Sequence, residues 1–146
     1  MRRALLATLL CLTAGCPVID VGETPVTPPI CRPSPTQFRE PGGIWDTAIA
    51  VADIEKSCIG KTGCHTQATG RSALRLIDKP RDQLTDSEWM RNYEVVARFL
   101  NCSTPNASPF ITKPESGVDP HLGGDLWECT GTCEPIRTVE AWIAGE

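Results

Sequence analysis

Two short segments carry the residue types best suited to chemistry. The first is Cys58-Ile-Gly-Lys-Thr-Gly-Cys64-His65, the second is Pro120-His121-Leu-Gly-Gly124, and together they contain both histidines of the chain. Two cysteines followed directly by a histidine can hold a haem through two thioether bonds and offer an imidazole to its iron. His121 is then the candidate for the opposite axial position. Five residues separate the two cysteines, whereas this type of attachment normally has two.

The same residues have simpler interpretations, which the sequence leaves open. Cys58 and Cys64 could form a disulfide that closes a small loop and leaves His65 with no metal to bind. His121 could be a loop residue that hydrogen-bonds nearby backbone. Met90 is a rival for the distal iron position, but it lies beside the apolar stripe of a predicted helix, which favours packing or surface exposure.

Cys129 and Cys133 are separated by Thr-Gly-Thr, a turn-like spacer that favours a local disulfide. The alternative is a zinc site that these two cysteines form with Cys64 and His65, because thiolates and imidazole suit that metal. Zinc is disfavoured, since an oxidising compartment leaves few free thiolates.

The N-terminus predicts export. Met1-Arg2-Arg3 is a short basic start, and an uncharged, mostly apolar run follows it as far as Ala14. Residues 1–15 are therefore interpreted as a signal peptide, too short for a membrane-spanning helix. The small residues before Cys16 resemble a bacterial lipoprotein signal, in which that cysteine is acylated and anchors the chain in a lipid bilayer. The alternative is ordinary secretion with cleavage near Ala14. Pro17 at the next position favours the outer membrane, facing the periplasm or the cell surface.

The overall charge argues against a role in nucleic-acid binding. The formal net charge is −4, and removal of Arg2 and Arg3 with the signal peptide makes it −6. An acidic surface repels phosphate backbones.

The sequence shows no catalytic pattern. It has no Ser/His/Asp set, no phosphate-binding glycine loop and no paired carboxylates among apolar residues. The sequence therefore predicts that the protein is not an enzyme.

Residues 16–43 are predicted to be an extended spacer between the lipid anchor and the domain. Proline restricts the backbone and favours stiff, exposed conformations. Cys31 is unusual in such a spacer, and we expect it to fasten the spacer to the domain by a disulfide, with Cys102 as its partner. The prolines concerned are Pro17, Pro25, Pro28, Pro29, Pro33, Pro35 and Pro41.

Residues 44–146 are predicted to form a small all-α domain with long loops. A first amphipathic helix is indicated by Trp45, Ala48, Ile49 and Ala52 at helical spacing. Thr85-Asp-Ser-Glu88 has the spacing of a capping box, which predicts the start of a second helix. The stripe of this second helix comprises Trp89, Tyr93, Val96, Ala97 and Leu100. A last helix begins near Pro135, with a stripe of Ile136, Val139, Trp142 and Ile143. Trp45, Trp89, Trp127 and Trp142 are all expected to be buried.

The order of these segments resembles the cytochrome c-like domains of exported bacterial lipoproteins of the myxobacterial and planctomycete type. The segments that carry the resemblance are Gly63-Cys-His65, Leu74-Arg-Leu76, Phe99-Leu-Asn101, Ser108-Pro-Phe-Ile-Thr-Lys-Pro114, the His121-Leu-Gly-Gly word and Ala141-Trp-Ile-Ala-Gly145. The resemblance covers roughly residues 45–145.

The resemblance implies a helical c-type cytochrome fold with haem c as cofactor. Cys58 and Cys64 would supply the thioethers and His65 the proximal iron ligand, with His121 inferred as the distal ligand. The implied role is electron transfer with redox proteins of the cell envelope as partners. The alternative is a haem-free, disulfide-stabilised structural or binding lipoprotein with a degenerate form of that fold.

Overall fold

The structure of the protein is a computed structural model. It describes residues 31–52, 57–60, 65–68, 70, 72–115, 117–121, 126–127 and 133–146. Within these ranges the regular structure is helical and no strand occurs, as the predicted all-α class requires. The helices are α1 (Pro35–Arg39), a π-helical turn (Trp45–Ile49), α2 (Asp86–Ala97), α3 (Pro109–Thr112) and α4 (Glu134–Ala144), with 3-10 turns at Arg81–Gln83 and Pro105–Ala107.

α2 begins at the predicted capping box. The Thr85 side chain accepts a hydrogen bond from the Glu88 amide, and the Glu88 carboxylate accepts one from the Thr85 amide. Two amides without a partner inside the helix are thereby satisfied. The predicted stripe is buried in the structure, with Val96 fully enclosed.

α4 begins at Glu134, one residue before the start predicted at Pro135. The predicted apolar stripe of this helix is buried, and Val139 is fully enclosed. It ends at Gly145, whose φ of 79° is the left-handed conformation that glycine adopts most easily. Trp142 of this helix packs against Phe38 of α1, with ring centroids 5.7 Å apart.

The first predicted helix is shorter than expected. The helical turn contains Trp45, Ala48 and Ile49 but ends at Ala50, so the predicted continuation to Ala52 is wrong. The carbonyl of Ile49 instead accepts hydrogen bonds from the Cys58 amide (3.0 Å) and the Ser57 hydroxyl (3.0 Å). A contact with a later segment of the chain therefore uses this carbonyl.

Residues 31–43, which the sequence analysis placed in the spacer, pack against the helices that follow. Phe38 has no exposed surface and lies edge-on to Trp45, Trp89 and Tyr93. Such aromatic pairs each add about 0.5–1.5 kcal/mol beyond area burial. The packed part of the chain thus includes α1, ahead of the predicted boundary at residue 44.

Loops connect these helices, as predicted. Two isolated β-bridges pair residues within the loops. Thr66 pairs with Leu76, and Glu115 pairs with Trp127. All four predicted core tryptophans are buried. Among the described residues, no helix is long and apolar enough to cross a membrane.

Candidate functional site

Three of the predicted site residues line one cavity. Cys58, His65 and His121 come from separate loop segments and meet there. The rest of the lining is mostly apolar and consists of Leu74, Phe99, Pro109, Phe110, Lys113, Pro114 and Leu126. We call this space the histidine cavity.

The two imidazole rings in the histidine cavity lie nearly parallel. The centroids of His65 and His121 are 5.8 Å apart and the planes differ by 7°. His65 is buried, with 6 % of its surface exposed, whereas His121 is half-buried. The structure therefore brings together two histidines that are far apart in the sequence.

His65 is held by the segment that follows it. Its Nδ1 lies 2.8 Å from the Ser72 hydroxyl and 3.0 Å from the Leu74 carbonyl oxygen. The Leu76 amide donates to the His65 carbonyl at 2.7 Å. Ring and backbone are thus fixed to the same neighbouring segment, which restricts the orientation of the imidazole.

Cys58 is a free, buried thiol. Its Sγ lies 3.6 Å from the Ala48 carbonyl, and its amide donates to Ile49, so the π-helical turn positions it. Burial raises the pKa of this thiol to about 12, and the group is neutral at physiological pH. The alternative disulfide between Cys58 and Cys64 is therefore wrong for this structure.

The histidine cavity is small and weakly polar. Its volume is about 30 Å³, the space of a single water molecule. Lys113 is the charged residue among its described lining residues, and its Nζ lies 3.5 Å from the Pro120 carbonyl oxygen, just before His121. The walls consequently lie close together around the two imidazoles.

The predicted disulfide between Cys31 and Cys102 is confirmed, with the two Cα atoms 5.3 Å apart. Cys133 is also disulfide-bonded, and its partner is outside the described residues. Cys16, Cys64 and Cys129 lie outside the described residues too, so the acyl anchor, the second thioether and the Cys129–Cys133 pairing stay predictions.

The zinc alternative loses a ligand. It needs the thiolate of Cys133, whose sulfur is used in a disulfide. Within the described parts of the chain, no group of three or more histidine, cysteine, aspartate or glutamate residues is arranged to hold a metal ion.

Met90, the rival distal ligand, lies away from the histidine cavity. Its side chain is 45 % exposed and lines a surface groove with Pro35 and Tyr93. The preference for a surface position is confirmed.

Several residues of the site were not singled out from the sequence. Phe99, Phe110 and Lys113 occur in segments that carry the resemblance, but their position in the cavity wall was not predicted. Ser72 gave no signal, because a serine in a loop is common. Trp127 was expected in the core, and its buried indole N–H has no hydrogen-bond partner among the described residues.

Comparison of the chain with protein-family models, with curated proteins and with solved structures found no match.

Proposed function

We propose that this chain is a haem-binding electron-transfer protein of the cytochrome c type. His65 and His121 are the iron ligands in this proposal, and Cys58, together with Cys64, provides the thioethers. The observation that supports it most is the meeting of two parallel imidazoles and a reduced thiol in one apolar cavity.

The separation of the histidines fits axial ligation of one metal ion. Two imidazoles on opposite sides of a metal ion, each with a bond of about 2 Å, have ring centroids roughly 6 Å apart. The observed 5.8 Å is close to that value. The two rings are stacked, so axial ligation would require each ring to turn one nitrogen towards the shared metal ion.

The state of Cys58 also suits covalent attachment. A thioether forms when a thiol adds across a vinyl group, with the sulfur on one carbon and the proton on the other, so no oxidant is needed. Cys58 is reduced and lies in the same cavity as His65. A thiol already used in a disulfide would be excluded from this reaction.

His65 and His121 would hold the iron, which would supply one-electron redox chemistry at this site. A pair of imidazole ligands would favour electron transfer over oxygen binding. The aromatic and aliphatic walls exclude water and so contribute to the potential. The donor set therefore fits a haem, although the cavity must widen to admit one, because its present volume is far smaller than a porphyrin.

The test is expression of the full chain with a c-type maturation system, followed by absorption spectroscopy. We expect a six-coordinate low-spin spectrum. His121→Ala should shift it towards high-spin, because one axial ligand is lost. Met90→Ala is the matched control and should leave the spectrum unchanged, since this side chain is 45 % exposed on another face.

A low-spin spectrum that survives His121→Ala would remove this histidine from the iron. Loss of the low-spin spectrum in Met90→Ala would make the methionine the ligand instead. A colourless protein would exclude the haem proposal as a whole.

The second candidate is a haem-free, disulfide-stabilised domain with a structural or binding role. The observation in its favour is the small size of the histidine cavity, about 30 Å³ between the described residues. This candidate predicts a colourless protein that unfolds cooperatively without any added cofactor. Absorption of denatured protein made with a c-type maturation system distinguishes the two, because only the first candidate retains covalently bound haem.

We further propose that the chain is exported and anchored in the outer membrane through acylated Cys16. Its partners would be other redox proteins of the cell envelope. The acidic sequence, with a formal charge of −4 before processing, supports partners other than nucleic acids. Radiolabelled palmitate incorporation, absent in Cys16→Ser, tests the anchor.

A further inference from the structure

Ser72 forms a closed hydrogen-bond network with His65 and Leu74. Its Oγ lies 2.8 Å from His65 Nδ1, 2.9 Å from the Leu74 amide nitrogen and 3.2 Å from the Leu74 carbonyl oxygen. The same carbonyl oxygen lies 3.0 Å from His65 Nδ1. Four short contacts therefore join three polar groups and one imidazole nitrogen.

This network allows only one position for the imidazole proton on the Nδ1 side. A carbonyl oxygen has no proton, so the contact between Nδ1 and Leu74 is a hydrogen bond only if Nδ1 carries hydrogen. An unprotonated Nδ1 would turn its lone pair towards the oxygen at 3.0 Å, which is repulsive. Protonated Nδ1 donates to Ser72 and to the carbonyl instead.

The serine hydroxyl is then fully used. A hydroxyl donates one hydrogen bond and accepts two. Ser72 accepts from Nδ1 and from the Leu74 amide, and it donates to the Leu74 carbonyl. Each hydrogen-bonding capacity of this side chain therefore has a partner, and reversing the His65 proton would break two of the bonds.

We infer that Ser72 is a positioning residue that holds neutral His65 as the Nδ1–H tautomer. In water the Nε2–H form of neutral histidine is the commoner one, so the network selects the minority form. The consequence is that Nε2 carries the basic lone pair, and this nitrogen is one of the two through which a neutral histidine can bind a metal. The ligand role of Nε2 depends on the function proposed above, whereas the tautomer does not.

The test is long-range ¹H–¹⁵N correlation spectroscopy of the ¹⁵N-labelled, haem-free full chain at pH 8. The nitrogen shifts of neutral imidazole differ strongly between the two tautomers. With only two histidines in the chain, His121→Gln is sufficient to assign the signals. We expect the Nδ1–H pattern for His65 in the unmodified protein.

Ser72→Ala should move the His65 nitrogen shifts towards those of the Nε2–H form. Ser72→Thr keeps the hydroxyl and should restore the original pattern. Ser34→Ala is the matched control, because Ser34 is equally half-buried and its hydroxyl accepts one backbone amide bond from Gln37. It should leave both histidines unchanged.

An Nε2–H pattern in the unmodified protein would overturn the inference, even if Ser72→Ala failed to fold. So would unchanged His65 shifts in a folded Ser72→Ala variant. The nitrogen shifts are recorded without haem, so the two proposals can fail separately. Protein that stays colourless after expression with the maturation system but shows the Nδ1–H tautomer would reject the proposed function and leave the role of Ser72 intact.

Discussion

His65 and Cys58 each lie beside a backbone carbonyl group that the fold brings to them. The Leu74 carbonyl accepts from the imidazole, and the Ala48 carbonyl lies 3.6 Å from the thiol sulfur. Neither contact comes from a neighbour in the sequence. The chemistry available in the histidine cavity is therefore set by the loops around it.

The raised pKa of Cys58 predicts slow alkylation in the folded protein. A thiol with a pKa of about 12 has a thiolate fraction on the order of 10⁻⁴ at pH 8, and only the thiolate reacts. Iodoacetamide should leave Cys58 unmodified in the folded, haem-free chain and label it rapidly in urea. Peptide mass spectrometry measures the labelled fraction. Rapid labelling without urea would show that the side chain is accessible.

The residues that the sequence identified in the cavity are those whose side chains bind metals or attach cofactors. Cys58, His65 and His121 were found for that reason. Ser72 and Phe110 carry no such chemistry, and their roles depend on which segments meet in space. Tertiary contacts of that kind leave no pattern in a single sequence.

Among the elements, the helices with strong end signals were the most predictable. The capping box at Thr85 correctly predicted the start of α2, and Pro135 predicted the start of α4 to within one residue. The first helix was overestimated because its apolar spacing continues to Ala52, while the Ile49 carbonyl bonds the distant Ser57 and Cys58. Local spacing cannot show such a competing partner.

The capping box predicts the cost of one substitution. Thr85→Ala removes the side-chain acceptor of the Glu88 amide, and loss of such a cap costs about 1 kcal/mol. Urea denaturation should show this decrease in the free energy of unfolding. Arg91→Ala, exposed on the same helix and away from the capping box, is the control and should stay near the unmodified value. Equal stabilities would show that the cap contributes nothing.

Glu88 also gives α2 a defined pH dependence. The hydrogen bond from Lys79, followed by that from the Thr85 amide, lowers the pKa of Glu88 from 4.5 to about 2. The folded state therefore binds this proton less readily than the unfolded state. The stabilisation is present above about pH 4.5 and is lost as the pH falls towards 2.

Glu88→Gln should flatten the decline in stability across that pH window. The measurement is urea denaturation at several pH values between 2 and 5. A decline as steep as that of the unmodified chain would assign the acid sensitivity to other carboxyl groups.

At the scale of the whole molecule, three bonds hold the segment at 31–34 to the domain. Cys31 is bonded to Cys102, the Tyr93 hydroxyl donates to the Pro33 carbonyl, and the Trp142 indole donates to the Ser34 carbonyl. The sequence predicted the disulfide, since a cysteine in a proline-rich spacer needs a partner. It did not predict the two hydrogen bonds, because the proline content of this segment indicated an extended, exposed spacer.

The disulfide predicts a large effect on stability. Its cysteines are 71 positions apart, and a loop of that size corresponds to about 4 kcal/mol of lost unfolded-state freedom. The double variant Cys31→Ser/Cys102→Ser should therefore unfold at much lower denaturant concentration. Substitution is preferable to a reducing agent, because Cys133 is disulfide-bonded as well. A midpoint equal to that of the unmodified chain would contradict this role.

The covalent state of Cys58 in protein made with a c-type maturation system is the most direct test of the account. The chain is denatured in acid, extracted with an organic solvent and digested. The mass and the absorbance of the peptide that contains Cys58 are then measured. The account predicts that this peptide retains the mass and colour of a haem. A colourless peptide with an unmodified Cys58 thiol would contradict it and leave only the helical domain.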